Sequence, residues 1–245
     1  MIQLFKATER ASGAPAVGAA LAIACGLLAA AGHDSRDRAE SQVLDSGSFT
    51  ILRGGEVIGS EEFSLRSGRA SGGDGFTLAT TARYPPRGGG IALSPVLELS
   101  ADSLPLLVQF DVFGDGQRRI YARFGQRRLT LRIVRPGGEA AREYPSSGRN
   151  WVADDSVFAL YAVPPGRTPG AVQLVNPRAE RLAAGRLADG GIDRVPVGGV
   201  VHTLRHLILE TEAGVRHLWF DGSGRLMKVE IPGAGLVAER VEGVR

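Results

Sequence analysis

The chain has 245 residues, 43% of them hydrophobic and 22% charged, with 34 Gly, 13 Pro and a formal net charge of +3. Those proportions exclude a wholly disordered chain, a collagen and a multi-pass membrane protein, and the length admits one large all-β domain or two small ones. The basic excess is almost all arginine, Lys6 and Lys228 being the lysines. It lacks the dense aromatic-interleaved patch of a nucleic-acid binder, so no nucleic-acid partner is expected.

The N-terminus follows the export pattern. Lys6 and Arg10 precede an uncharged stretch from Ala11 to Gly32 that ends in Ala29-Ala30-Ala31. Charge, apolar run and small residues together read as a signal peptide cleaved near Ala31. Two alternatives stay open: an uncleaved membrane anchor over residues 11–32, and a lipoprotein at Cys25, although the leucine before it is Leu21, one position too far. Residues 1–31 are therefore taken as leader or anchor, 32–45 as a polar linker and 46–245 as a single domain. The expected location is periplasmic or otherwise exported. Cys25 is the only cysteine, so a cleaved chain has no disulfide, thiolate nucleophile or cysteine-based metal site.

From Ser48 onward the apolar period is two. Ser48–Arg53 and Glu56–Ser60 flank Gly54-Gly55, a two-residue hairpin signal. That loop pairs Arg53 with Glu56, Leu52 with Val57 and Ile51 with Ile58, and the strand continues through Leu65. Further strands are predicted at 75–84, 96–100, 106–113, 118–124, 127–135, 202–211, 215–221, 225–231 and 235–241. Asp154-Asp155-Ser156 reads as the cap of a short helix over 157–162, stopped by Pro164-Pro165. Residues 179–187 are a second, weaker helix candidate, and 66–74, 85–90 and 137–147 read as loops. The predicted fold is all-β: a large curved antiparallel sheet, an open or half barrel of meandering hairpins with one or two short helices.

Two surfaces carry candidate chemistry. A loop at Gly125-Gln126 sets Arg123 opposite Arg128, Tyr121 opposite Thr130 and Arg119 opposite Arg132, all on one face. Ile120, Ala122, Phe124, Leu129, Leu131 and Ile133 take the other. A three-residue loop at 114–116 then places Asp111 opposite Arg119. Arg119, Tyr121, Arg123, Arg128 and Arg132 are the candidate ligand residues, because planar guanidinium groups bind phosphate or carboxylate in two places. The competing reading is a solvated face neutralised by Asp111, Asp115 and Glu98. On the C-terminal meander, a loop at Ala213-Gly214 sets Glu210 opposite His217, Ile208 opposite Trp219 and His206 opposite Asp221, with His202 on the same face. This polar cluster reads as cross-strand pairing on a wet surface, with a hydrolytic His–Asp pair or a metal site as rivals.

Two segments also resemble known proteins. They are the "G-x-x-x-G-x-E-x-F" hairpin of Gly55, Gly59, Glu61 and Phe63, and Leu218-Trp-Phe-Asp-Gly-Ser-Gly-Arg-Leu-Met-Lys-Val-Glu-Ile-Pro232 with Gly235–Arg240. Together they resemble uncharacterised exported bacterial β-sheet proteins of the domain-of-unknown-function type, similar in layout to the half-barrels of Lol-type lipoprotein carriers. The resemblance implies a strongly curved sheet with an apolar concave side, and it brings no catalytic residues. The expectation is a non-enzymatic cell-envelope protein, without cofactor or metal, that binds a lipid-like or other apolar or anionic ligand. The alternative is a structural or interaction protein of the envelope, partnered through sheet edges.

Overall fold

The structure, a computed structural model, describes residues 41–241 apart from Gly72, Asp115, Ser147 and the side chain of Arg167. The leader, Cys25, most of the linker and the Asp115 loop tip lie outside the described residues. Among those residues are strands β1 (Gln42–Arg53), β2 (Glu56–Ala70), β3 (Gly73–Tyr84), β4 (Ile91–Ser100), β5 (Pro105–Phe113), β6 (Arg118–Phe124), β7 (Arg128–Arg135) and β8 (Gly138–Pro145). After them come β9 (Asn150–Val152), β10 (Gly170–Asn176), β11 (Arg181–Val197), β12 (Val200–Thr211), β13 (Gly214–Phe220), β14 (Leu226–Ile231) and β15 (Leu236–Val241). Residues 42–45, expected in the linker, open β1.

The strands form one all-β sheet. Each pairs with its chain neighbours, except that β8 and β9 are not joined, and β15 pairs with β1. All pairs are antiparallel but β9–β10. The sheet therefore curls round as an unclosed barrel, open at one seam between β8 and β9. Side chains bridge that seam. Glu180, in the β10–β11 turn, accepts from Arg135 at 2.6 Å and Arg142 at 2.8 Å, and its carbonyl accepts the Tyr144 hydroxyl at 2.9 Å.

The alternation read from sequence builds the core. Ile51, Leu78, Leu97, Phe110, Ile120, Leu131, Leu209, Leu218 and Val229 are buried in one continuous cluster. Full burial of each such side chain contributes roughly 1.5–3 kcal/mol. The Gly54-Gly55 turn forms with both residues at positive φ, and Arg53 faces Glu56 and Leu52 faces Val57 as expected. Ile51 faces Gly59 rather than Ile58, because the ladder is irregular there. Gly59 is required at that point, since a Cβ would come within 2.6 Å of the Tyr84 ring.

The hollow of the sheet is filled by the chain itself. Trp151 of β9 and Val157–Val163, between β9 and β10, are buried in the same cluster as the other strand side chains. Phe158–Ala162 form a 3-10 turn that touches β2 and β14. The expected helix at 157–162 is this turn, and the side chains of Asp154, Asp155 and Ser156 do not cap it. The second helix candidate, 179–187, lies in the Asn176–Arg181 turn and β11, while the expected loop at 137–147 contains β8.

Candidate functional site

The predicted arginine face forms, with a different register. Arg123 pairs with Thr130, Tyr121 with Arg132 and Arg119 with Val134. The turn is therefore two residues longer than Gly125-Gln126, and the Gly125 N–H donates to the Arg128 carbonyl at 2.8 Å. A two-residue slide leaves every side chain on its expected face, so alternation alone cannot detect it. Asp111 lies opposite Arg119 as expected and accepts from it at 2.5 and 3.2 Å.

Strand β8, missed in the sequence, supplies the other counter-charges. Glu139 accepts from Arg132 at 2.5 and 2.8 Å, and Glu143 accepts from Arg128 at 3.1 Å. The hydrogen bond from Arg132 holds the Glu139 carboxyl below its usual range. Glu98 is instead engaged by Ser71. Among the described residues, Arg123 has no carboxylate partner. It borders a depression of about 420 Å³ with Arg128, Leu106, Leu107 and Phe124. A neighbouring depression of about 510 Å³ takes Arg119, Tyr121 and Arg132.

The histidine cluster also differs from expectation by two residues. His206 pairs with Trp219, Ile208 with His217 and Glu210 with Val215. The turn is Glu212-Ala213, closed by Thr211, whose hydroxyl accepts the Ala213 N–H and donates to the Gly214 carbonyl. The expected pairs Glu210–His217 and His206–Asp221 are therefore not made. Asp221 instead holds its own turn, accepting the N–H groups of Ser223 and Arg225 at 2.9 Å each. His202 lies opposite Val195, further out on β12.

The carboxylate that His206 meets is Asp193 of β11, 2.9 Å from Nδ1. Asp193 also accepts the Trp219 indole N–H at 3.1 Å. His206 Nε2 and His217 Nδ1 share a hydrogen bond of 2.9 Å, and the His206 ring stacks on Trp219 at 4.8 Å. Burial holds the His206 imidazole below its usual value, against the opposing pull of Asp193. Gly190 makes room for it, since a Cβ there would fall 2.6 Å from Nδ1. Among the described residues, no group of three or more His, Cys, Asp or Glu is placed to hold a metal ion.

This cluster anchors an arm. The outer part of the β11–β12 hairpin, residues 192–204, runs beyond β13 and ends at Gly198-Gly199. Val195, Val197 and Leu204 pack with Trp219 and Met227 in a second, small core. Gly198 N–H donates to Glu239 at 3.1 Å, which ties the tip to β15.

A third polar set was not anticipated. Glu61 is fully buried, and its carboxylate accepts from the Phe158 N–H at 2.7 Å, the Ala159 N–H at 3.0 Å and the Thr80 hydroxyl at 2.6 Å. Burial pushes it up to about 7, and those donors oppose the rise. Asp154 takes two bonds from Arg178, at 2.6 and 2.7 Å. Asp155 takes two from Arg216, at 3.0 and 2.7 Å, plus the Tyr161 hydroxyl at 2.5 Å. These acids hold the internal segment in place. The available signal was parity: Glu61 shares its strand face with Phe63, and Arg216 shares one with Leu218 and Phe220, so both are charged groups at inward positions.

Fold and geometry together define a β-barrel-like domain with a self-filled interior. A solved structure has the same general form: a β-barrel-like protein of domain of unknown function DUF1849 from Brucella abortus. This chain is similar to it with a TM-score of 0.50 and 11% identity, over 80% of this chain and 94% of that one. At that identity the likeness concerns the fold. No family model matches the chain, and no curated protein matches it.

Proposed function

We propose that this chain is a non-enzymatic, exported protein of the cell envelope that binds a lipid-like anionic ligand on its outer surface. The observation that carries the reading is the depression beside Arg123. There, a guanidinium without a carboxylate partner among the described residues adjoins Leu107 and Phe124. An apolar floor beside a forked cation suits an acyl or aromatic body with a phosphate or carboxylate head. The filled interior supports an external site over an internal one. The leader pattern supports export.

The test is lipid extraction and mass spectrometry of the protein purified from the envelope fraction. An anionic lipid is expected to co-purify and to be lost from an Arg123→Gln/Arg128→Gln variant. Recovery of no anionic lipid with the wild-type chain would sink the reading.

One observation favours a second reading, an interaction protein of the envelope. Among the described residues, the eight-residue strand β8 has no ladder partner beyond β7. Such an edge can accept an extended strand from another chain. A photoreactive residue at Ala141 should then crosslink to one envelope protein; a chain that crosslinks to none excludes it.

A further inference from the structure

The arm described above makes a second cleft, distinct from the arginine surface. The β11–β12 ladder is irregular between Asp189 and Gly191, with Gly191 at positive φ. Beyond that point the arm parts from the end of β13. Between arm and β13–β14 turn lies a cleft of about 430 Å³, lined by Ile192, Arg205, Leu207, Phe220 and residues 221–224. Leu207 and Phe220 are 2% and 4% exposed, whereas Ile192 beside them is 67% exposed. A free hairpin would lower that exposure by folding Ile192 onto Phe220. This one is held by Asp193 on His206 and Trp219, by Gly198 on Glu239, and by Lys228, which donates to the Pro196 carbonyl at 3.4 Å. The wall is therefore fixed in place, and its apolar surface is left for something else to cover.

The polar groups of the cleft favour one kind of head. Asp221 is engaged by Arg225 and two backbone N–H groups. Asp189 accepts from Gly191 N–H and from Arg205 Nη2 at 2.8 Å. Among the described residues, Nε and Nη1 of Arg205 are not engaged. The rim thus offers donors for a charged acceptor, above an apolar floor of a size usual for small ligands.

We infer that the cleft between Ile192, Arg205 and Phe220 binds a small amphiphile with a carboxylate or phosphate head, the head at Arg205 and the chain over Leu207 and Phe220. Calorimetric titration with decanoate, decyl phosphate and decyltrimethylammonium tests this on the wild-type chain and on Arg205→Gln, Ile192→Ser and Arg123→Gln. Both altered cleft side chains are at least partly exposed, so the variants keep the fold, which thermal unfolding checks. The two anions should bind and the cation should not. Arg205→Gln and Ile192→Ser should each weaken decanoate about tenfold, the loss of one charged hydrogen bond or one apolar contact. Arg123→Gln should leave the binding that Arg205→Gln weakens intact, and whatever binding it removes belongs to the arginine surface. Wild-type affinity in either cleft variant overturns the inference, as does equal binding of the cation or no binding of either anion. Loss in Arg123→Gln alone would do so too, while supporting the arginine surface.

Discussion

Glu61 and Phe158 stand 97 residues apart in the chain, yet the carboxylate of one accepts the backbone N–H of the other at 2.7 Å inside the barrel. The start of the 3-10 turn is capped from across the sheet rather than by its own sequence. An N-terminal turn leaves N–H groups that need acceptors, and a buried one is costly if unmet. Glu61 supplies acceptors for two of them.

That arrangement fixes a pH dependence. Glu61 moves from 4.5 to about 7 on folding, so the unfolded chain gives up this proton first as pH rises. Its contribution to stability is greatest below about 4.5, falls between there and 7, and stays low above. Glu61→Gln should remove this dependence. It should also cost about 1–3 kcal/mol at acidic pH, because the amide turns a donor toward one N–H. Urea unfolding across this range, for both proteins, measures it; identical pH profiles would contradict the assignment.

The internal segment should behave as core. Phe158→Ala removes a fully buried ring and should cost about 3–5 kcal/mol. A loss below about 1 kcal/mol in denaturant unfolding would mean that the segment is not packed inside.

Histidine 206 shifts the other way. Its folded value is depressed, so the stability it contributes is present above its ordinary value of 6.5 and declines as pH falls through and below it. The arm should loosen first. Trp219 emission should shift to the red at mildly acidic pH, read in a Trp151→Phe background, while His206→Gln should abolish the shift. An emission maximum that holds constant down to pH values where the whole fold melts would count against this.

At the seam, Glu180→Ala removes two ion pairs, those of Arg135 and Arg142. Those pairs are substantially exposed on the arginine side, so the global loss should stay within about 1 kcal/mol. Hydrogen exchange of the β8 amides should speed up nonetheless; unchanged protection there would show that the seam does not depend on Glu180.

Much of the architecture was legible in the sequence, and strands β8 and β11 were missed for one common reason. Strands β1–β7 and β12–β15 bury one face, and alternation reports one-sided burial. Strand β8 reads Gly-Glu-Ala-Ala-Arg-Glu-Tyr-Pro and is exposed along nearly its whole length, so it carries no apolar period. Strand β11 begins Arg-Leu-Ala-Ala-Gly-Arg and buries little before Leu187, which made it look helical. The two candidate surfaces were found on the correct faces but paired two residues out of register. Their partners Glu139, Glu143 and Asp193 were missed because each sits in a stretch of β8 or β11 with no readable period.

The ladder between β1 and β15 has a consequence for how the molecule is made. Until Val241 has left the ribosome, the first strand and β14 each present a bare edge, and neither half of the ring can be joined to the other. A chain that stops short of β15 keeps both edges open and invites aggregation, so the strand that locks the two halves together is made only after both of them.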